Sequence, residues 1–219
     1  MIYSKIAGTG SALPKKTVTN HDLEKIMDTS DEWIRGRTGI AERRVVSDGE
    51  TTTTLAQEAC QKAIEAAGVD PANIDLLVMG TTTPDLIFPS SACLIQKKLG
   101  LPDCGAMDVN AACSGFMYAL SIADKFIRCG DAKHVLVCGA ETLTQIVNWQ
   151  RRDTSVLFGD GAGALVLEAS DEPGILSTHI HANGDYADLL RTDTGISRGL
   201  GLSLIHISEP TRRRDSSRM

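Results

Sequence analysis

The chain has 219 residues, 42% of them hydrophobic and 23% charged, enough to bury a sizeable core. Its net charge is −6, and because the last twenty-one residues hold four Arg against one Asp and one Glu, residues 1–198 alone carry −8, which argues against nucleic acid as a partner. No apolar run approaches the roughly 18 residues that cross a bilayer, and the opening MIYSKIAGTG lacks the parts of a signal peptide. The expectation is a protein with no membrane partner, cytoplasmic by default.

In chain order, SKIAGTGSAL reads as a strand running into a glycine turn. Two helical pieces follow around NHDLEKIMD and SDEWIRGRTG, with Asn20 and Ser30 as their expected caps. TTTTLAQEACQKAIEAAG predicts a helix with Leu55, Ala59, Ala63 and Ala66 on one face, a capping box from Thr54 to Gln57, and Gly68 as its stop. IDLLVMGTTT is a continuous apolar run of strand length, the pattern of a strand buried on both faces. Next come a helix at SSACLIQKKLG, a strand at CGAMDV, a helix after Cys113, a strand at KHVLVCGAE, and paired strands at GAGALVLEAS and GILSTHIHANG. This alternation predicts an α/β fold with a mostly parallel mixed sheet covered by helices. Beyond residue 198 the chain turns Arg- and Ser-rich without apolar period, and LIHISEPTR resembles translated sequencing adapter. Residues 1–198 are therefore expected to form one unit, and residues 199–219 a non-native or disordered tail.

The six cysteines, at 60, 93, 104, 113, 129 and 138, include no CxxC pair, which argues against both a zinc site and a disulfide framework. Cys113 differs from the others by its setting. In DVNAACSGFMYAL a buried strand runs directly into a helix, placing the cysteine at or beside the first helical turn. Free backbone N–H groups and the positive end of the helix dipole there favour a thiolate, and Ala111, Ala112, Ser114 and Gly115 leave room for a substrate. On pattern alone two readings stand: a nucleophile, or a small hydrophobe packed between sheet and helix.

The histidines suggest no site. His179 and His181 alternate in STHIHANG and would share one face of a strand, but no third metal ligand is apparent. His21 and His134 sit in a cap region and at a strand start, and His206 in the tail. The glycines from Gly159 to Gly163 in FGDGAGA fit neither a Walker A loop nor a dinucleotide fingerprint, and read as a tight turn into a buried strand.

Several strings taken together, DVNAACSGF, GTGSALP, DTSDEWIRGRTGI, TTTPD before FPSSACLIQ, and FGDGAGALVLE, closely resemble the β-ketoacyl-[acyl-carrier-protein] synthase III family, in family order from residue 1 to about residue 195. The resemblance implies the N-terminal half of a thiolase fold and a condensing enzyme that begins fatty-acid synthesis, joining acetyl-CoA or another short acyl-CoA to malonyl-[acyl-carrier protein]. Cys113 matches the family's acyl-accepting nucleophile. Trp33 and Arg37 match residues that hold the adenine of CoA, Arg152 the arginine stacked on its other side, and Thr29 a further contact on that side. An indole and guanidinium planes suit a purine, and arginine also neutralises phosphate; read alone, Trp33 would be a partly buried anchor and the arginines a solvated helix face. Phe88 matches a residue that closes the partner's acyl pocket across a homodimer, and alone would pass for core.

No tightly bound cofactor or metal is implied; CoA enters and leaves as substrate and product. The family's histidine and asparagine, and the glycine-rich loop completing its oxyanion hole, belong to motifs that do not occur in this chain. The fragment is therefore expected to fail in condensation, to expose Phe116, Leu120 and Ile127 of the helix after Cys113, and to aggregate when made alone. Competing readings are a polyketide or quinolone starter condensing enzyme, a hydroxymethylglutaryl-CoA synthase-like protein, and a noncatalytic half that only binds CoA.

Overall fold

The computed structural model describes residues 2–192, 195–198 and 205–207. The first strand, β1 (Tyr3–Ala12), leads into a short hairpin, β2 (Lys16–Thr19) with β3 (Glu42–Val45), whose long connection carries the helices α1 (Asn20–Leu23) and α2 (Asp31–Thr38). The chain continues through α3 (Thr52–Ala67), β4 (Leu76–Gly80), α4 (Ser91–Leu99), β5 (Gly105–Val109), α5 (Gly115–Cys129), β6 (His134–Thr142), α6 (Arg152–Ser155) and β7 (Asp160–Ser170). Five strands form one sheet in the order β1-β7-β6-β4-β5. β4 pairs in parallel with both β5 and β6, whereas β7 runs antiparallel to β6 and to β1, so four of the five strands share one direction and the sheet is mixed and mostly parallel, as expected. The antiparallel pairings arise because the β6–β7 connection returns the chain along the neighbouring edge without a crossover helix.

β4 is buried along its whole length, and its side chains alternate between two cores. Leu77 and Met79 join Leu55, Ala59, Ala63 and Ile95 under α3 and α4, while Leu76 and Val78 join Ala119, Ala123, Ile127 and Val137 under α5. The helix α3 lies close because β1 presents glycine to it: a Cβ on Gly10 would stand 2.2 Å from the Ala59 carbonyl oxygen. On α3 the buried face is Leu55, Ala56, Ala59, Cys60, Ala63 and Ile64, and Ala66 is exposed.

Caps fall earlier than expected at two helices, by one residue at α1 and by three at α3. Thr19, not Asn20, caps α1, in a box with Asp22, and Thr51 caps α3 in a box with Thr54. In both cases the threonine just before the helix reaches the free N–H three residues on. Ser30 caps α2, and Gly68 ends α3 in the left-handed conformation, as expected.

The segment GILSTHIHANG is not a strand. Residues 174–183 run as an extended strap across α5. After one backbone bond, from Ile175 N–H to the Ser4 carbonyl, the strap's carbonyls are taken by α5 side chains: Arg128 donates to Ile175 and Leu176, and Tyr118 to His181. With those carbonyls already bonded to side chains, no ladder forms, and His179 and His181 share no strand face. Of the tail expected to carry no fold, residues 205–207 are described, as a strand β9 (Ile205–Ile207) paired with β8 (Leu190–Thr192); the remainder lies outside the described residues.

On α5, Phe116 and Leu120 are half-buried, but Ile127 is fully buried and was wrongly expected to be exposed, because it faces the sheet. The helix is fixed to β1 through Asp124, a buried carboxylate that accepts from Ser4 Oγ at 2.8 Å, Lys125 Nζ at 2.9 Å and Arg128 Nε at 3.0 Å. Burial pushes the Asp124 pKa up, but the hydrogen bonds from Lys125 and Ser4 and the charges of Lys125 and Arg128 outweigh it and hold the group below the usual carboxylate value.

Two measurements test this packing. A depressed folded pKa contributes stability that is complete above the unfolded value of about 4 and is lost as pH falls through the folded value. Asp124→Asn should remove that acid-side dependence and cost about 1.5–3 kcal/mol in urea denaturation at neutral pH. Gly80→Ala should cost about 1–3 kcal/mol in the same assay, since its Cβ would stand 2.6 Å from the Gly115 carbonyl carbon.

Candidate active site

Of the three parallel strands, β4 and β5 end side by side at Gly80 and Val109, and β6, paired with Gly80 at Gly139, runs on to Thr142. The β4–β5 connection, α4, covers the sheet face shared with α3, and the β5–β6 connection, α5, covers the other. Such a change of face opens a crevice at the carboxyl ends of parallel strands, the usual ligand position in open α/β sheets. Phe88 follows β4, Cys113 follows β5 and Arg152 follows β6, so three of the expected site residues leave the sheet at the same end.

Cys113 lies in a single 3₁₀ turn, Ala112–Ser114, between β5 and α5. The turn is tight: Ala112 has φ +46°, the left-handed region that disfavours a Cβ, a strain of about 1–3 kcal/mol. Alanine carries the smallest side chain that could sit there next to the cysteine. The turn is pressed against the sheet by the contact of Gly115 with Gly80, where neither residue has a side chain to hold the backbones apart. No side chain caps α5, and the Ser114 and Gly115 N–H groups donate within the turn, to the Ala111 and Ala112 carbonyls. The sulfur is exposed, unlike Cys60 and Cys138, which are buried in the core. The sequence left open whether Cys113 packs as a small hydrophobe; its exposure removes that reading.

The loop after β4 is shaped by Glu141, near the end of β6. Its carboxylate accepts from the Thr82 N–H at 2.8 Å, the Thr82 hydroxyl at 3.1 Å and the Thr83 hydroxyl at 2.5 Å. Asp108, near the end of β5, accepts the Ser91 and Ala92 N–H groups at 2.7 and 2.8 Å and so fixes the start of α4. Between these anchored points the apolar run Leu86, Ile87, Phe88 projects outward, with Phe88 82% exposed. Phe88 is therefore not core.

Trp33, Arg37 and Arg152 form one cluster. Trp33 and Arg37 are one turn apart on α2, and the Arg37 guanidinium lies 4.4 Å from the indole centroid. Arg152, the first residue of α6, lies 4.8 Å from the same ring and donates to the Asp28 carbonyl at 2.8 Å. Both distances are in the cation–π range. An aromatic plane placed between Arg152 and Trp33 would need about 7 Å, two van der Waals contacts, so the pair is closed as it stands and must part to admit one. Thr29 lies in the loop between Asp28 and the Ser30 cap, and its hydroxyl is buried with no hydrogen-bond partner. A buried hydroxyl left unpaired marks a position where a ligand or water would be accepted. Among the described residues no hydrogen bond or ring contact joins this cluster to Cys113.

Two clefts open elsewhere. One of about 660 Å³ is bordered by Thr52, Thr82, Thr83, Asp85 and Thr142, and one of about 540 Å³ by Lys16, Val18, Ile26 and Trp149. Neither is bordered by Cys113, Trp33, Arg37 or Arg152. Among the described residues no group of three or more His, Cys, Asp or Glu could hold a metal ion, and no helix is long and apolar enough to cross a membrane.

Residues 107–184, which contain Cys113 and Arg152, match the family model for 3-oxoacyl-[acyl-carrier-protein (ACP)] synthase III. A beta-ketoacyl-[acyl-carrier-protein] synthase III of Xanthomonas euvesicatoria is 66% identical over 200 residues, covering 91% of this chain and 62% of the relative. A relative of that name in Xylella fastidiosa is 61% identical over the same shares of the two chains. Among solved structures, the 3-oxoacyl-[acyl-carrier-protein] synthase III of Aquifex aeolicus superposes with a TM-score of 0.87 at 49% identity, over 93% of this chain and 64% of that one. A priming beta-ketosynthase of a polyketide biosynthetic pathway superposes with a TM-score of 0.90 at 36% identity, over 94% and 63%. This chain thus has the thiolase-type fold of these enzymes, spans about 62% of the length of the curated relatives it matches, and belongs to the β-ketoacyl-[acyl-carrier-protein] synthase III family.

Proposed function

We propose that the chain carries the acyl-accepting part of a condensing enzyme that starts fatty-acid synthesis. The observation that supports this most directly is the exposed sulfur of Cys113 on a strained turn at the mouth of α5, at the carboxyl ends of the parallel strands. A thiolate there attacks the thioester carbonyl of acetyl-CoA or another short acyl-CoA, and the tetrahedral oxyanion collapses to an acyl-cysteine with CoA as leaving group. The backbone N–H of Cys113 is the donor this chain offers to that oxyanion. In the second half-reaction malonyl-[acyl-carrier protein] loses carbon dioxide, and its carbanion attacks the acyl-cysteine to give the β-ketoacyl product. The histidine and asparagine expected for decarboxylation belong to motifs this chain does not contain, so the function assigned to these residues is the first half-reaction.

Trp33, Arg37 and Arg152 are the proposed adenine platform of CoA, with the Thr29 hydroxyl beside them. Their clustering supports that role, and the closed Arg152–Trp33 pair requires Arg152 to swing aside as the purine enters. Leu86, Ile87 and Phe88 are proposed to meet a second copy of the chain in a homodimer, with Phe88 closing the partner's acyl pocket. We place the protein in the cytoplasm. A polyketide starter enzyme is the second reading, favoured by the superposition on a priming beta-ketosynthase, and would use the same cysteine with a different acyl donor.

Incubation of the purified chain with acetyl-CoA should add one acetyl group by intact mass, mapped to Cys113 by peptide digestion. Cys113→Ser should add none, and an acyl adduct elsewhere would refute the assignment. Trp33→Ala and Arg152→Ala should each raise the acetyl-CoA concentration for half-maximal acylation about tenfold, equivalent to about 1.4 kcal/mol, while alkylation of Cys113 by iodoacetamide keeps its rate.

A further inference from the structure

The two halves of the Trp33–Arg152 cluster come from distant parts of the chain, α2 and α6, and a single buried cation joins the elements that carry them. Arg43, on β3, is 5% exposed, and no carboxylate pairs with it among the described residues. Its guanidinium instead donates Nη1 to the Val18 carbonyl at 3.2 Å, and Nη2 both to Asn20 Oδ1 at 2.8 Å and to the Val156 carbonyl at 3.3 Å. Val156 is the C-cap of α6, the one-turn helix that begins with Arg152. Asn20 is fully buried and grips α2 at both ends, its Nδ2 donating to Asp31 Oδ1 at 2.8 Å and to the Ile40 carbonyl at 2.7 Å, just beyond the Gly39 cap. The path from one half to the other is therefore Trp33 and Arg37 on α2, then Asn20, Arg43, Val156 and Arg152.

Burying a guanidinium without a counter-charge is costly, and burial draws its pKa below the ordinary arginine value. An apolar residue could fill the volume between β2 and α6 without that cost. What it could not do is offer planar donors to three elements at once, which is the property of the guanidinium fork. We infer that Arg43 and Asn20 are positioning residues that hold α2 and α6 in register, so that Trp33 and Arg152 stay opposed across the two elements and part only far enough to admit a nucleotide base. This inference rests on the CoA-platform reading above. It adds that platform affinity is set from beneath, by residues that touch no part of the ligand.

Trp149 packs in the same small cluster as Trp33 and Val156, so the reference is taken elsewhere: the backbone amide of Ile127, buried in the core under α5. Arg43→Met removes the fork. Asn20→Asp keeps the acceptor for Arg43 but loses the donor to Asp31 and Ile40, which frees α2 while leaving the cation paired and the fold supported. In a ¹⁵N spectrum both variants should shift the Trp33 indole signal and leave the Ile127 amide in place, weaken CoA binding about tenfold by titration, and keep the iodoacetamide rate at Cys113 within twofold of the parent. If Arg43→Met does not fold, Asn20→Asp decides. A Trp33 signal that stays put, equal shifts of Trp33 and Ile127, or a shifted Trp33 with unchanged CoA affinity would each overturn the clamp. Failure of the parent chain to bind CoA would instead overturn the platform reading, while the indole shifts still judge whether Arg43 and Asn20 hold α2 against α6.

Discussion

The contact on which this site depends is between two backbones. Gly80 closes β4 and Gly115 opens α5, and a Cβ on Gly80 would come within 2.6 to 2.8 Å of the Gly115 and Phe116 main chain. That approach lets the helix start directly against the sheet, and the chain must then turn within the five residues between β5 and α5, with Ala112 in a left-handed conformation. The placement of the turn that bears Cys113 thus follows from the absence of two side chains, while the carboxylates of Glu141 and Asp108 fix the neighbouring loops.

Burial on both faces of β4 is the second constraint. Its alternate side chains supply both cores, so helices must cover both sides, and the crevice appears where their connections part. The small cluster around Leu23, Ile34 and Val156 is separate from these cores and carries the Trp33 platform on its rim. Sulfur and platform are therefore mounted on different packing units, and each can be perturbed without the other.

Much of this was legible in the residues. The continuous apolar run of β4, the amphipathic period of α3 and the strand-to-helix junction at Cys113 each follow from local pattern, and the structure reproduces them. Local pattern failed where a tertiary partner decided the outcome. GILSTHIHANG has the alternation of a strand, but α5 side chains claim its carbonyls. Asn20 reads as a helix cap, yet it is buried and tied to residues eleven and twenty positions away. Arg43, within the charged string AERRVV, gives no sign of burial, because what holds it is a set of carbonyls scattered along the chain. Platform residues came from resemblance, since nothing in their spacing brings Arg152 to Trp33.

The strap over α5 has a mechanical side. Its recorded hold on the helix is through side-chain tips, Arg128, Tyr118 and the Ser121–Thr178 hydroxyl pair, while the strands beneath are knitted by continuous ladders. A fastening of that kind opens one bond at a time, like a row of buttons, whereas a ladder resists as a whole. The outer surface of α5 can thus be bared and covered again while the sheet and the turn bearing Cys113 stay assembled, making it the part of the molecule best suited to changing neighbours.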